Sequence, residues 1–133
     1  MIVGIGIDMV EVERMRRLLD RKGDRALVRL FTPGELAYAR THPEPERQLA
    51  ARVAAKEAAY KALSGNDLAK AIGWRELEVL SRRGQAPVLV LHGRAQARAA
   101  ELGVHRVHLS ITHTEHMASA YVIAEGKAET LQY

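Results

Sequence analysis

Residues 45–63 read PERQLAARVAAKEAAYKAL, and the fold turns on this stretch. Pro45 suits a first helical turn, where a missing N–H costs nothing. From there Leu49, Val53, Tyr60 and Leu63 recur at helical spacing, and Ala50, Ala54 and Ala58 fill out the same stripe. The pattern predicts one long helix from Pro45 to Leu63. Beside its apolar stripe lies Glu57, four residues after Val53 and three before Tyr60, with Lys61 one turn further on. Two readings are open. One is a Glu-to-Lys pair on a wet surface, worth about 0.2–0.5 kcal/mol. The other is a carboxylate and an ammonium held by core packing at the edge of a cleft.

Upstream, Ile2–Ile7 alternates β-branched residues with glycines and reads as a strand. Gly4 and Gly6 leave one face of it bare, which allows close approach by another element or a ligand. Val10, Met15, Leu18 and Leu19 then recur at helical spacing towards Lys22-Gly23, where a glycine can end the helix. Thr32-Pro33-Gly34-Glu35 announces the next helix through a capping box with proline in the first turn. Downstream, Leu77–Ser81 and Val88–Leu91 flank a glycine-bearing loop and form a hairpin. Arg94–Leu102 is a short helix stopped by Gly103, and Val107–Thr112 with Met117–Ile123 makes a second hairpin. Strand, three helices, hairpin, helix, hairpin is an α+β order of antiparallel strands packed with helices. Residues 1–133 read as one domain, with fraying expected from Glu125 to Tyr133.

The chain has 133 residues, 47% of them apolar, which is enough for a real core. There is no cysteine, so disulfides, thiolate catalysis and cysteine-type zinc sites are excluded. No apolar run approaches a membrane span, and Asp8 without a basic leader argues against a signal peptide. A cytoplasmic domain is the expectation. Basic charge gathers early. Between Glu13 and Arg29 there are Arg14, Arg16, Arg17, Arg21, Lys22, Arg25 and Arg29 against Glu13, Asp20 and Asp24, an excess equal to the whole chain's net +4. Such a face is either merely solvated or steers an acidic macromolecule. With one Trp and one Phe there is little for bases to stack on, so an acidic protein suits it better than nucleic acid.

Asp8 closes the opening strand, where it is either an N-cap for the next helix or an acid offered to a ligand. Asp8 and Glu57 together could supply two hard oxygens to Mg²⁺, which takes one or two carboxylates plus phosphate and water. Ser110-Ile111-Thr112-His113-Thr114 ends a strand in hydroxyls and an imidazole, either solvated or suited to a phosphate. Gly4-x-Gly6 lacks the rest of a dinucleotide fingerprint, and no P-loop occurs.

Taken together, GIGID with Asp8, the arginine-rich helix, FTPGELAYA, ARVAAKEAAYKAL and VHLSITHT resemble the holo-acyl-carrier-protein synthase family. This is the small-subunit class of the 4′-phosphopantetheinyl transferases, and the resemblance spans nearly the whole chain. It implies transfer of phosphopantetheine from coenzyme A to a serine of apo-acyl carrier protein, with Mg²⁺ and release of 3′,5′-ADP, in support of fatty acid biosynthesis. Carried onto this sequence, it implies Asp8 and Glu57 as metal ligands and Glu57 with Lys61 at the reacting phosphate. Arg52, Lys61, Gly84, Pro87, His113 and Thr114 would bind coenzyme A. Arg14, Arg21, Arg25 and Arg29 would hold the carrier. It also implies a homotrimer with sites shared between subunits. The chain departs from the family pattern at Gly84-Gln85-Ala86-Pro87, which lacks the usual cation, and at Val53, where a larger aromatic is usual. The competing reading is a basic module that binds an acidic protein or RNA without catalysis.

Overall fold

The computed structural model describes residues 1–128, with the backbone alone at residues 22 and 23. The chain runs β1 (Ile2–Glu11), α1 (Val12–Leu30), α2 (Pro33–Arg40), α3 (Pro45–Ala62) and α4 (Asp67–Lys70). A single 3₁₀ turn (Trp74–Glu76) leads into β2 (Leu77–Leu80), β3 (Val88–Leu91), α5 (Gly93–Glu101), β4 (Val104–His113) and β5 (Met117–Gly126). The expected α+β class is the observed one. Both hairpins form, β2 with β3 and β4 with β5, and β1 adds to β5 so that one sheet has the order β1-β5-β4. Every pairing is antiparallel.

Several boundaries differ from the sequence reading, β4 among them, since it begins at Val104 and not at Val107. β1 does not stop at Ile7, because its ladder with β5 continues through Asp8↔Ala120 and Val10↔Ala118 to Glu11↔Met117. Val10 is therefore a strand residue. Gly23 does not end α1, which runs on to Leu30. An interior glycine costs about 1 kcal/mol against alanine, and burial of Met15 on one side of it and Leu27 on the other outweighs that. At the far end Glu125 and Gly126 still belong to β5, while residues 129–133 lie outside the described residues.

α3 is the axis of the molecule. A single buried stripe was expected, yet Ala50, Ala51, Ala54, Ala55, Ala58, Ala59 and Ala62 are all buried along with Leu49 and Leu63. The helix packs on β1 and β5 on one side and on α1, α2 and β2 elsewhere. A helix apolar on most faces belongs inside. Alanine makes this possible because it lets neighbouring backbones approach. A Cβ added to Gly4 would overlap the carbonyl oxygen of Ala62, and one added to Gly6 that of Ala58. The bare face of β1 thus lies directly on α3.

The α2 capping box forms as expected: Thr32 Oγ1 accepts from Glu35 N, and Glu35 Oε1 accepts from Thr32 N. Glu35 does more than cap. Its carboxylate is buried and accepts from Lys56 Nζ (2.8 Å) and Val79 N (3.0 Å). Lys56, fully buried, also donates to the carbonyls of Trp74 and Leu77. Burial lowers the Lys56 pKa, opposed by the neighbouring Glu35 charge. A buried pair is tolerated only when its remaining donors and acceptors are satisfied, and these partners tie α2, α3 and β2 into one unit.

Candidate functional site

The same packing that buries the glycines aims Asp8. Gly4 meets Ala62 and Gly6 meets Ala58, so two residues along β1 match four residues back along α3. Two strand residues span about 6.7 Å and four helical residues about 6 Å, so the match persists. Asp8 occupies the next position on that face of β1. The step carries it one turn further towards the start of α3, to the level of Ala54, and the side chains of Glu57 and Lys61 lean towards it because helical side chains point to the helix N-terminus. Asp8 caps nothing, since the residue preceding α1 is Glu11, without a side-chain cap.

Lys61 Nζ donates to Asp8 Oδ1 at 3.1 Å and to the carbonyl of Ile7 at 2.9 Å. The expected helical pair between Glu57 and Lys61 is therefore not what forms. The lysine crosses instead from α3 to β1. Among the described residues, Glu57 is half-buried with neither carboxylate oxygen in a hydrogen bond. Asp8, Glu57 and Lys61 line one cavity of about 690 Å³, walled otherwise by Met9, Val10, Met15, Leu18, Leu30, Val53 and Trp74 and bordered by Arg14, Arg17 and Arg21.

That cavity joins what the sequence reading kept apart. Arginines expected to dock a partner away from the chemistry share its wall with the two acids. Because α1 is continuous past Gly23, positions 14, 17, 21, 25 and 29 fall within about 60° of one line on the helix at 100° per residue. Arg25 and Arg29 are exposed further along that line. Arg17 and Trp74 were not singled out for the site. Arg17 stands three residues after Arg14, so helical periodicity alone could have found it. Trp74 is brought in by its 3₁₀ turn, for which no sequence signal was available.

The remaining candidates lie elsewhere in the chain. Arg52 is 2% exposed, stacked 4.6 Å above the Tyr38 ring and donating to Ser81 Oγ and to the Gln48 carbonyl. Burial lowers its pKa, with Glu35 and Tyr38 opposing, and its Nε has no partner among the described residues. Gln48 and His113 line a second, shallow cavity of about 310 Å³ with His42, Pro43, Glu44 and Arg47. Thr114 folds the following turn, its Oγ1 accepting from His116 N and Met117 N. Gly84, at φ +77°, sits in the exposed loop before Pro87. The two cavities have no lining residue in common.

Two carboxylates facing one cavity fit a hard cation that completes its shell with substrate oxygens. Among the described residues no cluster of three or more acidic, histidine or cysteine side chains could cage a metal by itself. The donor set therefore matches Mg²⁺ carried with a phosphate better than a resident zinc or calcium ion.

A model of the 4′-phosphopantetheinyl transferase superfamily matches residues 4–124, a span that holds both acids, Lys61 and His113. The chain belongs to the 4′-phosphopantetheinyl transferase superfamily. This transferase is similar to the holo-[acyl-carrier-protein] synthase of Solibacter usitatus, with 44% identity over 126 residues, 95% of this chain and 100% of the relative. Its fold is similar to the crystal structure of the Neisseria meningitidis synthase, with TM-score 0.81 and 31% identity, covering 94% of this chain and 99% of that one. The Bacillus anthracis synthase in complex with CoA (3′,5′-ADP) gives TM-score 0.75 and 32% identity over 96% and 99% of the two chains. This transferase is an enzyme of the holo-acyl-carrier-protein synthase class. None of its described helices is long and apolar enough to cross a membrane.

Proposed function

We propose that the protein transfers 4′-phosphopantetheine from coenzyme A to a serine of apo-acyl carrier protein, with Mg²⁺, releasing 3′,5′-ADP. The observation that carries this reading is the cavity shared by Asp8, Glu57, Lys61, Arg14 and Arg21. In the reaction the carrier serine oxygen bonds to the β-phosphorus of the coenzyme A pyrophosphate. The bond from that phosphorus to the bridging oxygen breaks, and the electron pair leaves on 3′,5′-ADP. Asp8 and Glu57 would hold Mg²⁺, which supplies charge neutralisation at the pyrophosphate when bound. Lys61 brings a further cation to the reacting phosphate, and the serine proton passes to a basic group or to solvent. Phosphoryl transfer depends mainly on positioning and electrostatics, and these residues supply both.

The coenzyme A set implied by the resemblance (Arg52, Lys61, Gly84, Pro87, His113 and Thr114) is not gathered in one cavity of a single chain: Lys61 lines the Asp8 cavity, His113 lines the shallow one, and the other four line neither. A substrate reaching from the Asp8 cavity to His113 is better accommodated where copies of the chain meet. Support for assembly comes from the outer face of the β1-β5-β4 sheet, where Ile5, Ile7, Met9 and Tyr121 are all exposed. We therefore assign a homotrimer with shared sites, acting in the cytoplasm in fatty acid biosynthesis.

Apo-carrier incubated with the enzyme, coenzyme A and Mg²⁺ is expected to gain the mass of one phosphopantetheine, and EDTA is expected to stop the gain. Carrier that binds without a mass change would remove the catalytic reading in favour of a binding module.

The arginine stripe gives a separate expectation. Arg14→Ala and Arg21→Ala should each raise the carrier KM about tenfold at low salt, with kcat changed less than about twofold. The deficit should shrink as salt screens the attraction in the wild type. An unchanged KM in both variants would remove α1 as the docking face.

A further inference from the structure

Lys61 has an assignment that its helical spacing hides. Its ammonium is docked on β1 by two acceptors, Asp8 Oδ1 and the carbonyl of Ile7, while the expected partner, Glu57, is left to the cavity. The Asp8 side chain is 20% exposed and that of Lys61 51%, so the lysine is the solvent-side member and can swing into the cavity without disturbing the core. Six charged side chains line this cavity: Asp8 and Glu57 against Arg14, Arg17, Arg21 and Lys61. The balance is two positive charges. A divalent cation entering alone meets one ligand already engaged by an ammonium and a cavity of its own sign. A pyrophosphate entering with it supplies two negative charges that offset those of the ion, and it offers Lys61 a more highly charged acceptor than Asp8.

We propose that Lys61 is a placeholder cation, docked on Asp8 and Ile7 until a pyrophosphate-bearing substrate draws it away, so that a divalent ion is held tightly only together with that substrate. The proposal rests on the metal-centre reading of Asp8 and Glu57 and goes beyond it, since two free carboxylates would bind the metal first and alone. Lys61 thereby acts on the order of loading as well as on the charge at the reacting phosphate. The coupling is reciprocal, so coenzyme A should also bind more tightly when the metal is present.

The test is Mn²⁺ binding to the full chain without carrier, read as free aqueous Mn²⁺ by electron paramagnetic resonance, with and without coenzyme A. Wild type is expected to bind Mn²⁺ weakly alone and at least about tenfold more tightly with coenzyme A. Lys61→Met should bind Mn²⁺ about tenfold more tightly than wild type in the absence of coenzyme A, although its transfer activity falls. Lys61→Gln should behave likewise, and Lys61→Arg, which keeps a cation, should remain as weak as wild type. The proposal is overturned if Lys61→Met and Lys61→Gln bind Mn²⁺ alone no better than wild type. Asp8→Asn separates the two layers. If it binds Mn²⁺ as well as wild type with coenzyme A present, the metal centre itself is misassigned and the placeholder goes with it.

Discussion

Gly6→Ala is expected to cost the protein a large part of its stability, although it adds one methyl group. The new Cβ would overlap the carbonyl oxygen of Ala58, with the carbonyl carbon and Cα of the same residue behind it. All three are backbone atoms in the middle of a buried helix, so no rotamer change relieves the overlap. Either β1 lifts off α3 or the helix bends, and both open the alanine-lined contact at the centre of the core. Overpacking of a side-chain site costs about 1–3 kcal/mol. A backbone-on-backbone collision should reach or exceed the upper end, a large part of the roughly 5–15 kcal/mol available to a domain. Chemical denaturation should give an unfolding free energy reduced by that amount, with the midpoint lowered in proportion, and the surviving folded fraction should have lost the registration of Asp8 with Glu57. Gly34→Ala is the matched control. An added Cβ there meets nothing closer than 3.7 Å, and the residue lies in the first turn of α2. It should be neutral or stabilising by up to about 1 kcal/mol. If Gly6→Ala matched it, the close packing of β1 on α3 could not be what aims Asp8.

This dependence on backbone contact also explains which parts of the structure could be read from the sequence. Elements defined by local rules were legible. Thr32, Pro33 and Glu35 specify the start of α2 by themselves, and the β2–β3 and β4–β5 pairs follow from short apolar runs around turn residues. The extent of β1 and α1 was not. Asp8 and Glu11 continue a strand only because β5 supplies partners, and Gly23 remains helical only because residues on both sides of it are buried. α4 escaped notice, although Asn66 caps it by accepting from Ala69 N. A four-residue helix has too little periodicity to detect.

The site divides along the same line. Glu57 and Lys61 stand out on a helix wheel, yet the wheel pairs them with each other, whereas the structure pairs Lys61 with Asp8. Residue types likewise misdirect at Lys56 and Arg52. Both are charged and would be assigned to the surface, but each is buried with its own acceptors. What brings Asp8 to Glu57 is the fit of Gly4 and Gly6 to Ala62 and Ala58. Both halves of that fit were visible in the sequence, but nothing local says that they meet. The motif-level resemblance to the transferase family carried that information instead.

Glu57→Gln is expected to abolish transfer while leaving the protein folded and the carrier bound. The substitution preserves size and shape and removes one negative charge. Glu57 is half-buried, and its carboxylate has no hydrogen-bond partner among the described residues, so no internal contact is lost. Stability should stay within about 0.5 kcal/mol of wild type. The chemical effect is of another order. A carboxamide is a poor ligand for a hard divalent ion, and the set would fall from two anionic oxygens to one beside four cationic side chains. Loss of one preorganised electrostatic element at a reacting centre costs about a hundred- to a thousandfold. Loss of half the anionic ligands that the protein would offer the metal should lower kcat by at least the larger figure. The carrier KM should move less than about twofold, because the arginines of α1 are untouched. This is the opposite of the signature expected for Arg14→Ala, so kcat and KM measured on the two variants separate docking from chemistry. Glu57→Asp, which keeps the charge but shortens the reach by one methylene, should recover part of the rate. Should Glu57→Gln keep more than a tenth of wild-type turnover, the dicarboxylate would not be the catalytic centre, and Lys61 with the arginines would have to stabilise the reacting phosphate unaided.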